Sequence, residues 1–323
     1  MPDRSDKVER LNEQTDQYEL PYVSKSRVKK WKENPEHFRL SYLEGIKEPE
    51  TKAMKRGTII HEAFEHYYEQ CQRAGRHIEP EEPSALPHNH RQWADFIEPY
   101  MTNFFEWEHR RWQRAFEQPE RYLPVGIEEE AWREDMLGHD TPPWMGIADA
   151  VLPAGTVPGS PYTNDDGVLI VDFKTGSVPR EQYRDEGIHL ELAYYELVFE
   201  DEYDVAGSAA YYPRENETLF SPEGDSMQRE VLETAREMVT ICGEYDGEQK
   251  FEAKEGPLCK WGMDSDQQSA YYGVCSQCTW AVPANNPETF EALVEQGYSK
   301  QEIANELGTS ANAVGYWQHK MDL

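Results

Sequence analysis

The sequence contains 323 residues, of which 32 are Lys or Arg and 62 are Asp or Glu, so its formal net charge is −30. Such a charge argues against a nucleic-acid partner, because binding to phosphates requires cationic side chains. Hydrophobic residues form 38% of the chain and aromatic residues 12%. This content argues against an acidic disordered protein and predicts one large folded domain or two.

The beginning of the chain, residues 1–20, is polar and charged, and it predicts a flexible tail without a secretory signal. The longest apolar run, residues 168–171, is much shorter than the roughly 18 residues that a membrane span requires. The five cysteines are few and odd in number, which favours a reducing compartment over a disulfide framework. We therefore expect a cytoplasmic protein without a membrane partner.

Basic side chains are concentrated in residues 25–56, which carry ten basic and five acidic residues, whereas the rest of the chain has a net charge of −35. An overall acidic excess is typical of adaptation to a salt-rich cytoplasm. At about 1 M salt the Debye length is only about 3 Å, so distant acids hardly repel DNA while close contacts persist. The basic segment predicts either a DNA contact or a solvated helix face. The candidate DNA-binding residues in it are Lys25, Arg27, Lys29 and Lys30.

Apolar spacing and turn residues predict helices first and then alternating strands and helices. The first three helices are predicted at residues 24–42, which Pro35 interrupts, 57–73 and 91–116. Strands are predicted at residues 125–132, 144–152, 168–173 and 205–212, with helices at 181–199 and 225–245. This order predicts an α/β (α+β) fold with a central mixed sheet.

Two aspartates and a lysine fall on neighbouring predicted strands. Asp149 lies in the second strand, and Asp172 and Lys174 end the third. Residues i and i+2 of a strand share a face, so Asp172 and Lys174 point the same way while Phe173 points into the core. Two carboxylates beside a lysine are suited to bind Mg²⁺ or Mn²⁺ and to activate water, although a surface Asp–Lys pair is the simpler alternative.

Two helices carry polar pairs four residues apart, which places each pair on one helical face. His61 and Glu65 lie on the predicted helix 57–73, where His61 is a candidate nitrogen ligand for a metal. Glu191 and Tyr195 lie on the helix that follows the third strand. We expect the second pair to face the edge of the sheet that carries the aspartates.

In this order the motifs resemble those of the PD-(D/E)XK nuclease superfamily, in particular its RecB-like branch, which includes AddB nuclease domains and CRISPR-associated exonucleases. The resemblance covers about residues 21–280, with Glu191 standing where the family usually has Gln. It extends to the entry segment from Ser24 to Leu43. The matching positions are Gly57, His61 and Glu65; Gly146 and Asp149; Asp172, Lys174, Thr175 and Gly176; and Glu191 and Tyr195.

The resemblance implies a restriction-endonuclease-like core with the order αβββαβ, a helical N-terminal segment and metal-dependent hydrolysis of DNA. By this resemblance His61, Asp149, Asp172 and the carbonyl of Phe173 bind one or two divalent ions. Lys174 acts on the attacking water, while Glu191 and Tyr195 orient the DNA strand.

Three cysteines follow the predicted core, at Cys259, Cys275 and Cys278. Nucleases of the RecB-like branch often hold a four-iron, four-sulfur cluster with four cysteines, but here Asn34 and Gly262 stand at two positions where cysteine is expected. Three thiolates leave open an iron–sulfur cluster, a zinc site with a fourth ligand such as Cys242, His or Asp, or a segment held by packing alone. Cys71 is predicted to be a buried thiol on a helix.

Residues 286–323 carry the pattern of a helix-turn-helix after a predicted core domain that spans residues 21–285. Ser299 and Glu302 form a predicted capping box, and Gly308 and Ser310 separate the last two helices. The last helix offers a set of polar candidates for the major groove of DNA, although the segment has two lysines and six acids. A module that binds a protein partner is the alternative. The candidates are Asn312, Tyr316, Gln318, His319 and Lys320.

Taken together, these features predict a Mg²⁺- or Mn²⁺-dependent DNA nuclease that acts on DNA ends or single strands, as an exonuclease or end-processing enzyme. Recombination, repair, replication or CRISPR-like processing in a halophilic archaeon or its virus is the expected setting, with an integrase-type protein as a candidate partner. The alternative is a catalytically silent DNA-binding adaptor that keeps the nuclease fold and binds DNA through its helix-turn-helix.

Overall fold

The computed structural model describes residues 20–46, 52–82, 84–87, 94–116, 118–163, 167–185, 187–254, 286–321 and 323. These residues form two compact units, the first drawn from residues 1–29 and 52–244 and the second from residues 30–51 and 245–323. The predicted boundaries at residues 20 and 285 adjoin segments outside the described residues and stay predictions. Among the described residues, no helix combines the length and apolarity that a membrane crossing would need.

A mixed six-stranded sheet organises the first unit. Its strands are β1 (Val23–Ser24), β2 (Gly126–Arg133), β3 (Trp144–Pro153), β4 (Val168–Phe173), β5 (Val205–Tyr212) and β6 (Glu217–Phe220). The sheet order is β1-β3-β4-β5-β6, and β2 pairs with β3 as well. β1 runs parallel to β3, and β4 runs parallel to β5, while the other neighbours are antiparallel.

Four long helices accompany this sheet. They are α3 (Lys52–Ala74), α4 (Ala94–Arg114), α5 (Ile188–Phe199) and α6 (Ser226–Gly243). An aromatic core joins α3 and α4 to the buried side chains of β4, and in it Phe64 stacks on Phe104 at 4.1 Å between ring centroids and meets Phe173 edge-on. The expected restriction-endonuclease-like fold and its αβββαβ order are confirmed.

The segment from residue 25 to residue 43 is divided more finely than the predicted helix 24–42. It contains α1 (Lys25–Glu33), α2 (Pro35–Phe38) and a π-helical turn at Arg39–Leu43. Asn34 has an extended backbone, and its side chain accepts a hydrogen bond from His37 N, so it caps α2. Proline is compatible with the first position of α2, because a backbone N–H at that position would have no hydrogen-bond partner within the helix.

The described residues of the second unit include, besides the α2 segment, three helices near the C-terminus, α7 (Pro287–Glu295), α8 (Lys300–Leu307) and α9 (Ala311–Lys320). The capping box of Ser299 and Glu302 is present, and Gly308 adopts the left-handed conformation that ends α8. Ser310 caps α9 by accepting from Ala313 N. These helices bury a small core of their own, made of Phe290, Ile303, Ala304, Val314 and Trp317.

Candidate active site

The site lies at an opening in the sheet. β2 pairs with β3 from residue 144 to residue 151 and so occupies one edge of that strand. On the other edge, β1 pairs with residues 144–145 and β4 with residues 150–153. Of the described strands, none fills the intervening stretch of this edge, residues 146–149. Because β1 runs parallel and β4 antiparallel to β3, their last residues approach each other in this opening.

Asp149 and His61 meet at the opening. His61 extends from α3, and its Nδ1 lies 3.2 Å from Asp149 Oδ1. The other oxygen of Asp149 accepts a hydrogen bond from Phe173 N at 2.5 Å. At this point the Asp149 side chain, instead of a main-chain carbonyl of the neighbouring strand, accepts the hydrogen bond from β4. Burial lowers the pKa of His61, but the hydrogen bond and the charge of Asp149 outweigh it and raise this pKa above its usual value.

Asp172, Lys174 and Glu191 form a buried charged cluster beside this pair. Lys174 Nζ lies 2.5 Å from Asp172 Oδ2 and 2.6 Å from Glu191 Oε2, and both carboxylates are 5% exposed. Phe173, between the two charged residues of β4, is packed in the aromatic core. The predicted alternation along the end of β4 and the predicted approach of Glu191 are therefore seen in the structure.

Two lysines of α1 complete the cluster. Lys25 Nζ lies 2.9 Å from Asp172 Oδ1, 2.6 Å from the hydroxyl of Tyr195 and 3.6 Å from Glu191 Oε2. Lys29 Nζ lies 2.6 Å from Glu191 Oε1. The hydroxyl of Tyr195 also lies 3.1 Å from Asp172 Oδ1, so the predicted pair of Glu191 and Tyr195 reaches the site.

The carboxylates are kept ionised by this arrangement. Burial by itself raises the pKa of a carboxyl group, but Lys174 and Lys25 outweigh it at Asp172 and hold its pKa well below the usual range. At Glu191 the three lysines outweigh burial and lower the pKa to about 2. In return, Asp172 raises the pKa of Lys174 despite its burial, so Lys174 is an ammonium at neutral pH in this arrangement.

The low pKa of Glu191 predicts an acid-labile contribution to stability. Because the folded-state pKa lies below the unfolded value, the contribution is complete above the unfolded value of about 4.5 and is lost as pH falls towards about 2. Between pH 5 and pH 3 the wild type should lose about 2 kcal/mol more free energy of unfolding than Glu191→Gln. Urea denaturation at both pH values measures this difference, with exposed Glu233→Gln as control. Equal losses in wild type and Glu191→Gln would contradict it.

The donor set at the opening suits a hard divalent ion. Two carboxylates, an imidazole and the nearby main-chain carbonyl of Phe173 are oxygen and nitrogen donors of the kind that Mg²⁺ or Mn²⁺ accepts. Among the described residues, however, no group of three or more His, Cys, Asp or Glu side chains is placed so that it could hold a metal ion. Side chains of the protein contact the two carboxylates instead, since Lys25 and Lys174 contact Asp172, and His61 contacts Asp149.

The other predicted DNA-binding residues have varied surroundings. Arg27 is buried, stacks over the ring of Tyr22 and donates to the carbonyl of Tyr22, whereas Lys30 donates to Ser41. On α9, Asn312 and His319 are exposed and Tyr316 and Gln318 are half-buried; the side chain of Lys320 lies outside the described residues. Their contact with DNA stays a prediction.

The predicted cysteine site at Cys259, Cys275 and Cys278 lies outside the described residues. Cys71 is fully buried on α3, as predicted, and Cys242 is buried on α6. Burial raises the pKa of the Cys242 thiol to about 12.

Sequence reasoning missed two features of the site. Lys25, whose predicted contact with DNA stays a prediction, lies among the carboxylates. This position was not predicted, because the pairing of β1 with β3 is not visible in a two-residue strand. Glu128 lies between Ile127, which pairs with Ala150, and Glu129, which pairs with Ala148. It has a φ of 46°, which is unusual for a residue other than glycine. Its charge is close enough to raise the pKa of His61.

Comparison with known proteins identifies a family for this chain. The model of the PD-(D/E)XK nuclease superfamily matches residues 22–281, a range that contains every residue of the charged cluster. No curated protein is similar enough to this sequence to count as a match.

Proposed function

Because the chain belongs to the PD-(D/E)XK nuclease superfamily, we propose that the site in the sheet opening hydrolyses phosphodiester bonds of DNA with the help of Mg²⁺ or Mn²⁺. The superfamily implies a nuclease with DNA as its substrate, and its members usually use divalent metals. The observation that carries the proposal is the convergence of Asp149, Asp172, Lys174 and Glu191 from two strands and one helix.

In this proposal His61, Asp149, Asp172 and the carbonyl of Phe173 hold the metal. A bound divalent ion would polarise the phosphate and lower the pKa of a water molecule. Lys174 places an ammonium beside Asp172, where it neutralises developing charge and orients the water. Glu191 holds Lys174 from its other side, and the hydroxyl of Tyr195 positions the Asp172 carboxylate.

The test is cleavage of end-labelled single- and double-stranded DNA with Mn²⁺, Mg²⁺ or EDTA in molar KCl, which the acidic composition suggests as the working salt. We expect the wild type to cleave only with a divalent ion and Asp172→Ala to be inactive, while Asp201→Asn, which changes an exposed acid, cleaves like the wild type. Equal cleavage by wild type and Asp172→Ala would exclude this site. Metal-independent DNA binding without cleavage would favour the catalytically silent adaptor.

We further propose that α8 and α9 form a DNA-binding helix-turn-helix. The support is the sharp turn at Gly308 and Ser310 and the exposure of Asn312 and His319 at the surface of α9. The RecB-like branch, exonuclease or end-processing action, an iron–sulfur or zinc site, an integrase-type partner and a halophilic host remain parts of the proposal that rest on the sequence resemblance and composition.

A further inference from the structure

We propose that Lys25 is a second active-site lysine, which competes with the divalent ion for Asp172 and contacts the DNA phosphate at the reacting position once the ion has displaced it. The inference rests on the proposed nuclease function. It assigns to Lys25, the first residue of α1, a part in metal binding in addition to the DNA contact that the basic segment predicts.

The backbone determines the position of Lys25. β1 ends at Ser24 beside Met145, and the next residue, Lys25, enters the opening of the sheet. The hydroxyl of Tyr194 lies 2.9 Å from the carbonyl of Val23 and 3.0 Å from that of Met145, so it ties the two strands together at this point. The ammonium of Lys25 therefore approaches the end of β4 from a fixed backbone, and its side chain is only 21% exposed.

The contacts of Asp172 make this lysine a competitor of the metal. Lys25 donates a hydrogen bond to Oδ1, whereas Lys174 forms an ion pair with Oδ2 at 2.5 Å without hydrogen-bond geometry. An ammonium therefore lies against each oxygen, and metal ligation by Asp172 requires one of the two oxygens. Lys174 is also anchored on Glu191 at 2.6 Å, whereas the nearest Glu191 oxygen to Lys25 is 3.6 Å away. Among the described residues, Lys25 therefore has no second carboxylate as close as the one that anchors Lys174, and its other close contact is the neutral hydroxyl of Tyr195 at 2.6 Å.

A displaced Lys25 has one obvious partner. Its charge repels a divalent ion on the same carboxylate, and its flexible four-carbon side chain can move the ammonium towards a phosphate. DNA supplies such a phosphate at the reacting position. Metal and DNA should therefore bind with positive coupling. The metal frees the ammonium of Lys25 from Asp172, and the DNA phosphate then neutralises that ammonium. Such coupling typically changes the affinity for each ligand by about 5- to 150-fold.

Lys29 provides a matched control one helical turn away. It is the same residue type on the same helix, and its ammonium contacts Glu191 at 2.6 Å. Among the described residues, the lysines that form ion pairs with Asp172 are Lys25 and Lys174. Replacing either lysine by Met removes one positive charge from the cluster. A general charge effect would change metal affinity similarly in both variants, whereas competition for Asp172 requires a larger change at Lys25.

The experiment measures Mn²⁺ affinity by electron paramagnetic resonance, without DNA and with a phosphorothioate strand that resists cleavage. Without DNA we expect Lys25→Met to bind Mn²⁺ about tenfold more tightly than the wild type, and Lys29→Met to differ from the wild type by less than about threefold. DNA should tighten Mn²⁺ binding by the wild type and should do so less for Lys25→Met. Lys25→Arg, which retains the charge, should bind Mn²⁺ as weakly as the wild type.

Unchanged Mn²⁺ affinity in Lys25→Met, or equal gains in Lys25→Met and Lys29→Met, would overturn the proposal. If Lys25→Met does not fold, Lys25→Gln takes its place, and a lack of tighter binding in that variant has the same meaning. Failure of the proposed function is a separate result, because it appears as absence of Mn²⁺-dependent cleavage by the wild type. In that case a tenfold gain in Lys25→Met still supports the competition at Asp172.

Discussion

Replacement of Lys174 by Met should lower the rate of DNA cleavage by about 10²- to 10³-fold while leaving the fold intact. The ammonium of Lys174 contacts both Asp172 and Glu191, so it is placed to stabilise charge that develops at the reacting phosphate. The fold should survive because Lys25 and Lys29 still contact the same two carboxylates. Single-turnover cleavage with saturating Mn²⁺ measures the rate, and circular dichroism checks the fold.

Lys250→Met is the matched control for this variant, since Lys250 is an exposed residue of the second unit and its replacement changes the net charge equally. We expect this control to cleave at the wild-type rate. A Lys174→Met protein that cleaves within about threefold of the wild type would show that the lysine at the end of β4 takes no part in the chemical step.

Removal of the buried guanidinium of Arg111 should destabilise the first unit by about 3–5 kcal/mol. Arg111 and Glu108 are both fully buried and lie 2.8 Å apart, and Arg111 also donates to the carbonyl of Tyr122. The hydroxyls of Tyr68 and Tyr122 donate to the Glu108 carboxylate. In Arg111→Met the two tyrosine hydroxyls would be the remaining partners of the buried Glu108 carboxylate. Leaving this carboxylate without a cation costs far more free energy of unfolding than the loss of an exposed ion pair.

Urea denaturation of Arg111→Met and Arg73→Met compares a buried pair with a surface pair of the same type. Arg73 contacts Glu69 at 2.8 Å, but the two side chains are 66% and 43% exposed, so its loss should cost at most about 1 kcal/mol. The double variant Arg111→Met/Glu108→Leu should recover part of the loss, because it removes the unpaired charge. Similar midpoints for Arg111→Met and Arg73→Met would contradict this account.

The bounds of several strands and helices could be predicted from the sequence alone, and those of others could not. Strands β4 and β5 have the predicted bounds, 168–173 and 205–212. For β4 the reason is its apolar, largely β-branched run between turn residues. The predicted helix 181–199 was wrong in its first part, since α5 begins at Ile188 and residues 181–183 form a 3₁₀ turn. Strand β6 was not predicted, because its four residues become a strand only by pairing with β5.

The sequence by itself determined the order αβββαβ, the burial of Phe173 between Asp172 and Lys174, and the caps at Ser299 and Ser310. These follow from periodicity and from hydrogen bonds between residues close in the chain, which depend little on the rest of the molecule. Only the tertiary structure decided which cations meet the carboxylates. Lys25 and Asp172 are 147 residues apart, and their contact at 2.9 Å exists because β1 and β4 end in the same opening beside β3. No local pattern encodes that opening, since it arises from the pairing of strands that are distant in the sequence.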